Sequence, residues 1–139
     1  MKRKSLLFIA GALLCLVITA WVVFLYKKPR QTAADSSTQQ TVSARLLYTA
    51  FAQNEQTANQ LYNNKVLEVK GTVQQVEQTG QSVSILLFAG NKDGAGINCS
   101  IAAGYKGKIP VAGQSVKIKG ICTGFLMDVN LADATLVGN

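Results

Sequence analysis
The chain has 139 residues, 48% of them hydrophobic, with 14 Lys and Arg against 7 Asp and Glu, a formal charge of +7 and no histidine. The missing histidine removes Ser-His-Asp and Cys-His catalysis and the common imidazole metal sites, and no spacing visibly pairs two of the domain's acids for acid–base work. The charge is not a nucleic-acid footprint either, because Lys2, Arg3, Lys4, Lys27, Lys28 and Arg30 flank a single apolar run, and the chain from Gln40 onward is nearly balanced.

That run, residues 5–26, contains no charge. At 1.5 Å per residue it reaches roughly 33 Å, enough to span a hydrocarbon core. Residues 1–4 form a basic N-terminus, and Trp21 and Tyr26 lie toward the second boundary, where interfacial anchors tend to sit. The run therefore predicts one transmembrane helix. It is longer than the roughly 7 to 15 apolar residues of a cleaved secretory signal. Leu14 immediately before Cys15 is not the small residue that precedes a lipidated cysteine, so Cys15 reads as lipid-facing.

Residues 27–41 are polar and hold no large apolar side chain, which predicts a flexible tether. Residues 42–139 then form the folded domain. Residues 43–62 read as an amphipathic helix with Leu47, Phe51, Asn54, Ala58 and Leu61 on one row, Ser43 as N-cap and Asn63-Asn64 as its stop. Leu67, Val69, Gly71 and Val73 open a strand, with a slip of register expected near Gln74-Gln75 and a bend at Gly71. Thr79-Gly80 is a turn, residues 82–88 a strand, residues 90–96 a second turn and residues 97–101 a third strand.

A long Gly- and Lys-bearing connection over residues 102–113 precedes the run VKIKGICTGFLMDVNL at 116–131. Val116, Ile118 and Cys122 share one face of a fourth strand, and after Thr123-Gly124, read as its turn, Phe125, Met127, Val129 and Leu131 repeat the inward row on a fifth. Asp128 reads as outward, and a bulge is expected around Ala132–Ala134. One helix and five strands, with the long connection between strands three and four, predict an all-β domain with an N-terminal helix. The architecture is a five-stranded OB-fold Greek-key barrel, tethered to a single transmembrane helix. An open meander packed on the same helix is the structural alternative.

Several pieces resemble a bacterial family of membrane-anchored or lipoprotein OB domains, labelled tRNA-anticodon-like OB proteins. They are Asn54-Glu55 with Ala58 and Tyr62, Val69-Lys70-Gly71 with Val73, Gly96-Ile97-Asn98-Cys99, and Lys119 to Phe125 leading to Asp128-Val129 and Leu131. Thr135 is a departure, standing where the family pattern often has a further cysteine. The resemblance implies the barrel and no catalytic residue, since fold alone does not carry function.

Against that background the candidate chemistry is sparse. Asn91-Lys92-Asp93-Gly94 resembles the start of a calcium loop, but position twelve is Ala102, so it reads as a hairpin turn. Gly104 to Lys108 lacks P-loop spacing and reads as a mobile surface loop. Cys99 and Cys122 fall on inward rows, which fits two buried hydrophobes or, in an oxidising envelope, a disulfide closing about 22 residues and adding about 3 kcal/mol.

The reading reached is a non-enzymatic, cofactor-free binding module in the bacterial inner membrane, single-pass, with its N-terminus cytoplasmic and the barrel outside. A protein, glycan or small-molecule ligand would meet the loops carrying Asn91, Lys92, Asp93, Tyr105, Lys106 and Lys108. The alternative is a cytoplasm-facing nucleic-acid binder using Lys70, Phe88, Lys117 and Lys119.

Overall fold
A computed structural model describes residues 14–22, 33, 36–91 and 93–138. The chain divides into two compact units, residues 1–31 and 32–139. In the first, residues 14–22 are helical, and every side chain in this stretch is exposed. Among the described residues no helix is long and apolar enough to cross a membrane. The rest of the expected 5–26 helix, its flanking charges and most of the 27–41 tether lie outside the described residues.

The second unit contains strand β1 (Gln40–Ser43), helices α1 (Ala44–Gln53) and α2 (Glu55–Tyr62), and strands β2 (Val66–Thr79), β3 (Ser82–Phe88), β4 (Gly96–Ile101), β5 (Ser115–Phe125) and β6 (Val129–Val137). The sheet order is β1-β2-β3-β4-β6-β5, and a β2–β5 pairing closes five of the strands into a barrel. All neighbours inside the ring are antiparallel except β4 and β6. The ordered meander, the long β4–β5 connection and the parallel β4–β6 closure are the topology of an OB barrel.

The alternating rows fill it. Leu67, Val69, Val73, Ile85, Leu87, Ile97, Cys99, Ile118, Cys122, Val129, Leu131 and Ala134 are buried, with Leu47, Phe51 and Ala58 closing one end from the helices. Phe125 stacks on Phe51 at 5.8 Å between ring centroids and meets Tyr48 edge-on, also at 5.8 Å. Gly71 does more than permit a bend. A Cβ there would lie 2.9 Å from Ala44 Cβ, so its missing side chain is the space into which the start of α1 settles.

Three expectations need correction. The single helix over 43–62 is two, because Asn54 takes extended backbone, donates its N–H to Ala50 O and caps α2 by accepting from Thr57 N; it is exposed and not on the apolar row, and Leu61 is exposed as well. The tether is not free to residue 41. Gln40–Ser43 pair in parallel with Leu67–Lys70, Gln39 N donates to Val66 O, and Ala33 N donates to Asp133 Oδ2 at 2.9 Å. The last hairpin turns at Leu126–Asp128 and not at Thr123-Gly124: Gly124, at φ +116°, forms a bulge within β5, and Leu126 and Met127 are 86% and 80% exposed. Of the two readings left open for Cys99 and Cys122, the structure has two buried, free thiols. The register slip at Val73/Gln75 and the irregularity around Asp133 stand where the pattern placed them.

Candidate binding face
On the outside of the barrel, the residues between the buried ones on β2, β3, β4 and β6 form a polar surface. Ser84, Leu86 and Phe88 alternate with buried Ile85 and Leu87, and Asn98 with buried Ile97 and Cys99. Asn130 is the register partner of Asn98 on β6. The three polar side chains make a chain across the strands. Ser84 Oγ donates to Asn98 Oδ1, Asn98 Nδ2 to Asn130 Oδ1 at 3.3 Å, and Asn130 Nδ2 to Asp128 O at 3.2 Å. Each link fixes the amide orientation of the next, so the row is held as one hydrogen-bonding strip.

Asp128 is not a free outward group. Its Oδ1 accepts from Gly96 N at 2.7 Å, which fastens the β5–β6 turn to the first residue of β4. A charged acceptor on a backbone N–H is among the stronger hydrogen bonds. Together with Gln75, Glu77, Ser84, Leu86 and Asn98, Asp128 lines a cleft of about 150 Å³. Glu77 and Asp128 thus line one cleft although the sequence pattern paired no two acids, because β2 and the β5–β6 turn are brought together only by barrel closure. Gln75 Nε2 donates to Glu77 Oε1 at 2.8 Å. Among the described residues no Lys or Arg lines this cleft, and Phe88, 45% exposed, ends the same outward row of β3.

The residues singled out from sequence are distributed differently. Tyr105 and Lys108 line a cleft of about 460 Å³ with Lys117, whereas Asn91 and Asp93 line none of the clefts described here; Lys92 lies outside the described residues, and Lys106 is exposed on the β4–β5 connection. The 90–96 loop is instead tied to the bend of β2, where Gln74 Nε2 donates to Gly94 O at 3.0 Å. Lys70 and Lys117 are direct cross-strand partners. Lys119 stands opposite Glu68 and donates through Nζ to Ser36 O, and Phe88 lines neither basic cleft. Among the described residues no cluster of three or more His, Cys, Asp or Glu could hold a metal ion. Burial pushes both barrel thiols up, and for Cys122 a backbone hydrogen bond at Gly124 acts in the opposite direction. Neither is a nucleophile at neutral pH.

Comparison with known proteins comes to the same architecture. A family model described as tRNA_anti-like matches residues 1–135. Among solved structures, a lipoprotein from Klebsiella pneumoniae subsp. pneumoniae, described as a candidate nucleic acid-binding protein, superposes with a TM-score of 0.59 at 16% identity, covering 76% of this chain and 96% of that one. At that identity the likeness is one of fold. No curated protein matches.

Proposed function
The chain belongs to the tRNA_anti-like family, and from that premise we propose that it is a non-enzymatic, membrane-anchored OB-barrel module whose polar outer face binds a protein segment at the bacterial cell envelope. The carrying observation is the cleft between β2, β3, β4 and the β5–β6 turn, which presents Glu77 and Asp128 and, among the described residues, no cationic side chain. A polyphosphate strand would meet repulsion there. An extended peptide finds amide and hydroxyl partners in Gln75, Ser84 and Asn98, apolar contact on Leu86 and Phe88, and carboxylates for a Lys or Arg of its own.

Anchoring rests on the uncharged run of residues 5–26 and on residues 14–22, an apolar helical stretch exposed on every side, as a helix that meets lipid would be. The lipoprotein nature of the Klebsiella relative supports an envelope location. The second reading, nucleic-acid binding, is favoured by the descriptions of the family and of that Klebsiella structure and by the Lys70–Lys117 pair on a different face.

A photo-crosslinking residue at Ser84 in the full-length protein, in its native membrane, tests the reading. It is expected to trap a protein partner that is lost with Glu77→Lys and retained with Lys65→Gln. Absence of a Glu77-dependent adduct, together with a salt-sensitive shift of single-stranded RNA, would favour the second reading. A reporter active only outside the cytoplasm, fused after Asn139, tests orientation; silence of that fusion overturns the envelope placement.

A further inference from the structure
A different face of the barrel carries the opposite charge. On the outward side of β2 and β5, Lys70 and Lys117 are direct cross-strand partners, followed by Thr72 opposite Ser115. Directly opposed side chains in an antiparallel pair have Cβ atoms about 4.5 to 5.5 Å apart, and like charges in that position repel. Two adjoining clefts share Ser115, Val116 and Lys117. One, of about 310 Å³, also holds Lys70 and Thr72. The other, of about 460 Å³, adds Lys108 and Tyr105, with Pro110 and Leu136 as apolar wall. Among the described residues no acidic side chain lines either cleft.

We propose that this double cleft is a site for a small phosphate-bearing molecule, with Lys70, Lys108 and Lys117 on the phosphate and Tyr105, Pro110 and Leu136 against the organic part. The reasoning is electrostatic and geometric. Lys70 and Lys108 each share a cleft with Lys117, and among the described residues no carboxylate lines either one, so a doubly charged anion relieves the Lys70–Lys117 repulsion as it gains charge-assisted hydrogen bonds. Thr72 and Ser115, the next outward pair on the same two strands, add neutral hydroxyl donors to the same lobe. The larger lobe has the size of a small-molecule cleft, and its wall is partly aromatic and aliphatic, which suits an organic phosphoester better than bare phosphate. This face is separate from the acidic cleft, and the inference does not depend on how that cleft is used.

The same chemistry is offered by a soluble phosphoester and by the polar part of a phospholipid. Calorimetric titration of the full-length protein in neutral detergent with phenyl phosphate, sn-glycerol 3-phosphate and inorganic phosphate separates them. Either ester should bind more tightly than inorganic phosphate. A preference for phenyl phosphate identifies a free aromatic or apolar phosphoester, and a preference for glycerol phosphate identifies a lipid headgroup. The double variant Lys70→Gln/Lys117→Gln is expected to weaken binding by about tenfold or more, with Lys108→Gln weakening it less. Because the two lysines repel, the double variant should unfold at the same temperature as the wild type or higher, so loss of binding is not loss of fold. Ester binding that is absent, or unchanged in the double variant, overturns the proposal. So does binding of single-stranded RNA through the same lysines without binding of either ester.

Discussion
Leu131 stands between Cys99 and Cys122: it is the register partner of Cys99 across the parallel β4–β6 pairing and of Cys122 across the antiparallel β5–β6 pairing. Two strand spacings therefore separate the cysteines, about 9 to 10 Å, beyond the roughly 7 Å that a disulfide can bridge. Cys99 Sγ instead lies 3.8 Å from Ile97 O, as a weak donor. The expected outcome is two domain thiols that resist alkylation at pH 8 in the native protein and react fully once it is denatured, even when the protein is prepared without reductant. Mass spectrometry under non-reducing conditions reads this directly, and a mass 2 Da short would show a bridge.

The buried thiols also set a pH dependence. Burial raises both above their ordinary value of 9.0, so the folded protein keeps them neutral while the unfolded chain ionises. The stability tied to the neutral thiol is fully present below pH 9 and is lost as pH rises past it. For Cys99 the loss approaches about 1.4 kcal/mol per pH unit. Urea midpoints at pH 7.5, 9 and 10 should fall over the upper interval, and Cys99→Ala should flatten that fall.

Two glycines hold different kinds of close approach. A Cβ on Gly96 would lie 2.0 Å from Leu87 O, a backbone atom of β3, the strand to which β4 is bonded; at Gly71 it would meet side-chain carbons of Ala44 and Leu87. Side chains yield more readily than a ladder. Gly71→Ala is expected to cost about 1 to 3 kcal/mol, the range for overpacking, and Gly96→Ala more than that, since it displaces the strand and with it the Asp128 anchor. Chemical denaturation of the two variants ranks them, and equal costs would refute the distinction.

Asn54 joins α1 to α2 by ending one and capping the other. Replacing it with Ala removes the acceptor for Thr57 N and should cost about 1 kcal/mol, while Asn54→Asp, which keeps a side-chain oxygen in place, should be nearly neutral. Helical content measured by circular dichroism should change little, because Phe51 and Ala58 still hold both helices on the barrel. A cost for Asp equal to that for Ala would show that the cap is not what matters.

Much of the barrel was legible because its strands alternate cleanly. Leu67, Val69 and Val73 are all buried, and Val76 breaking the period marked the bulge that the register contains. What was not legible depends on partners far away in the chain. Gln40–Ser43 is too short to show a period, and it is a strand only because β2 offers an edge. Asn54 fits apolar spacing by position but caps by chemistry. Glu77 and Asp128 come to line one cleft only through closure, and the parallel β4–β6 pairing that separates the cysteines has no local signature. Thr123-Gly124 carried turn chemistry that β5 spends on a bulge.

That bulge decides how the last hairpin should respond to mutation. By strict alternation Met127 belongs to the inward row with Phe125, but Gly124 shifts the register, and the chain turns at Leu126–Asp128. Phe125 packs on Phe51 and Tyr48, whereas Leu126 and Met127 project into solvent. Phe125→Ala should therefore destabilise by about 3 kcal/mol or somewhat less, since the ring is only partly buried. Leu126→Ser and Met127→Ser should stay within about 0.5 kcal/mol of the wild type. Asp128→Ala lies between, at about 1 to 3 kcal/mol, because Gly96 N loses a charged acceptor in a partly buried site. Urea denaturation of the four variants gives the order, and a large loss at Met127 would return that residue to the core.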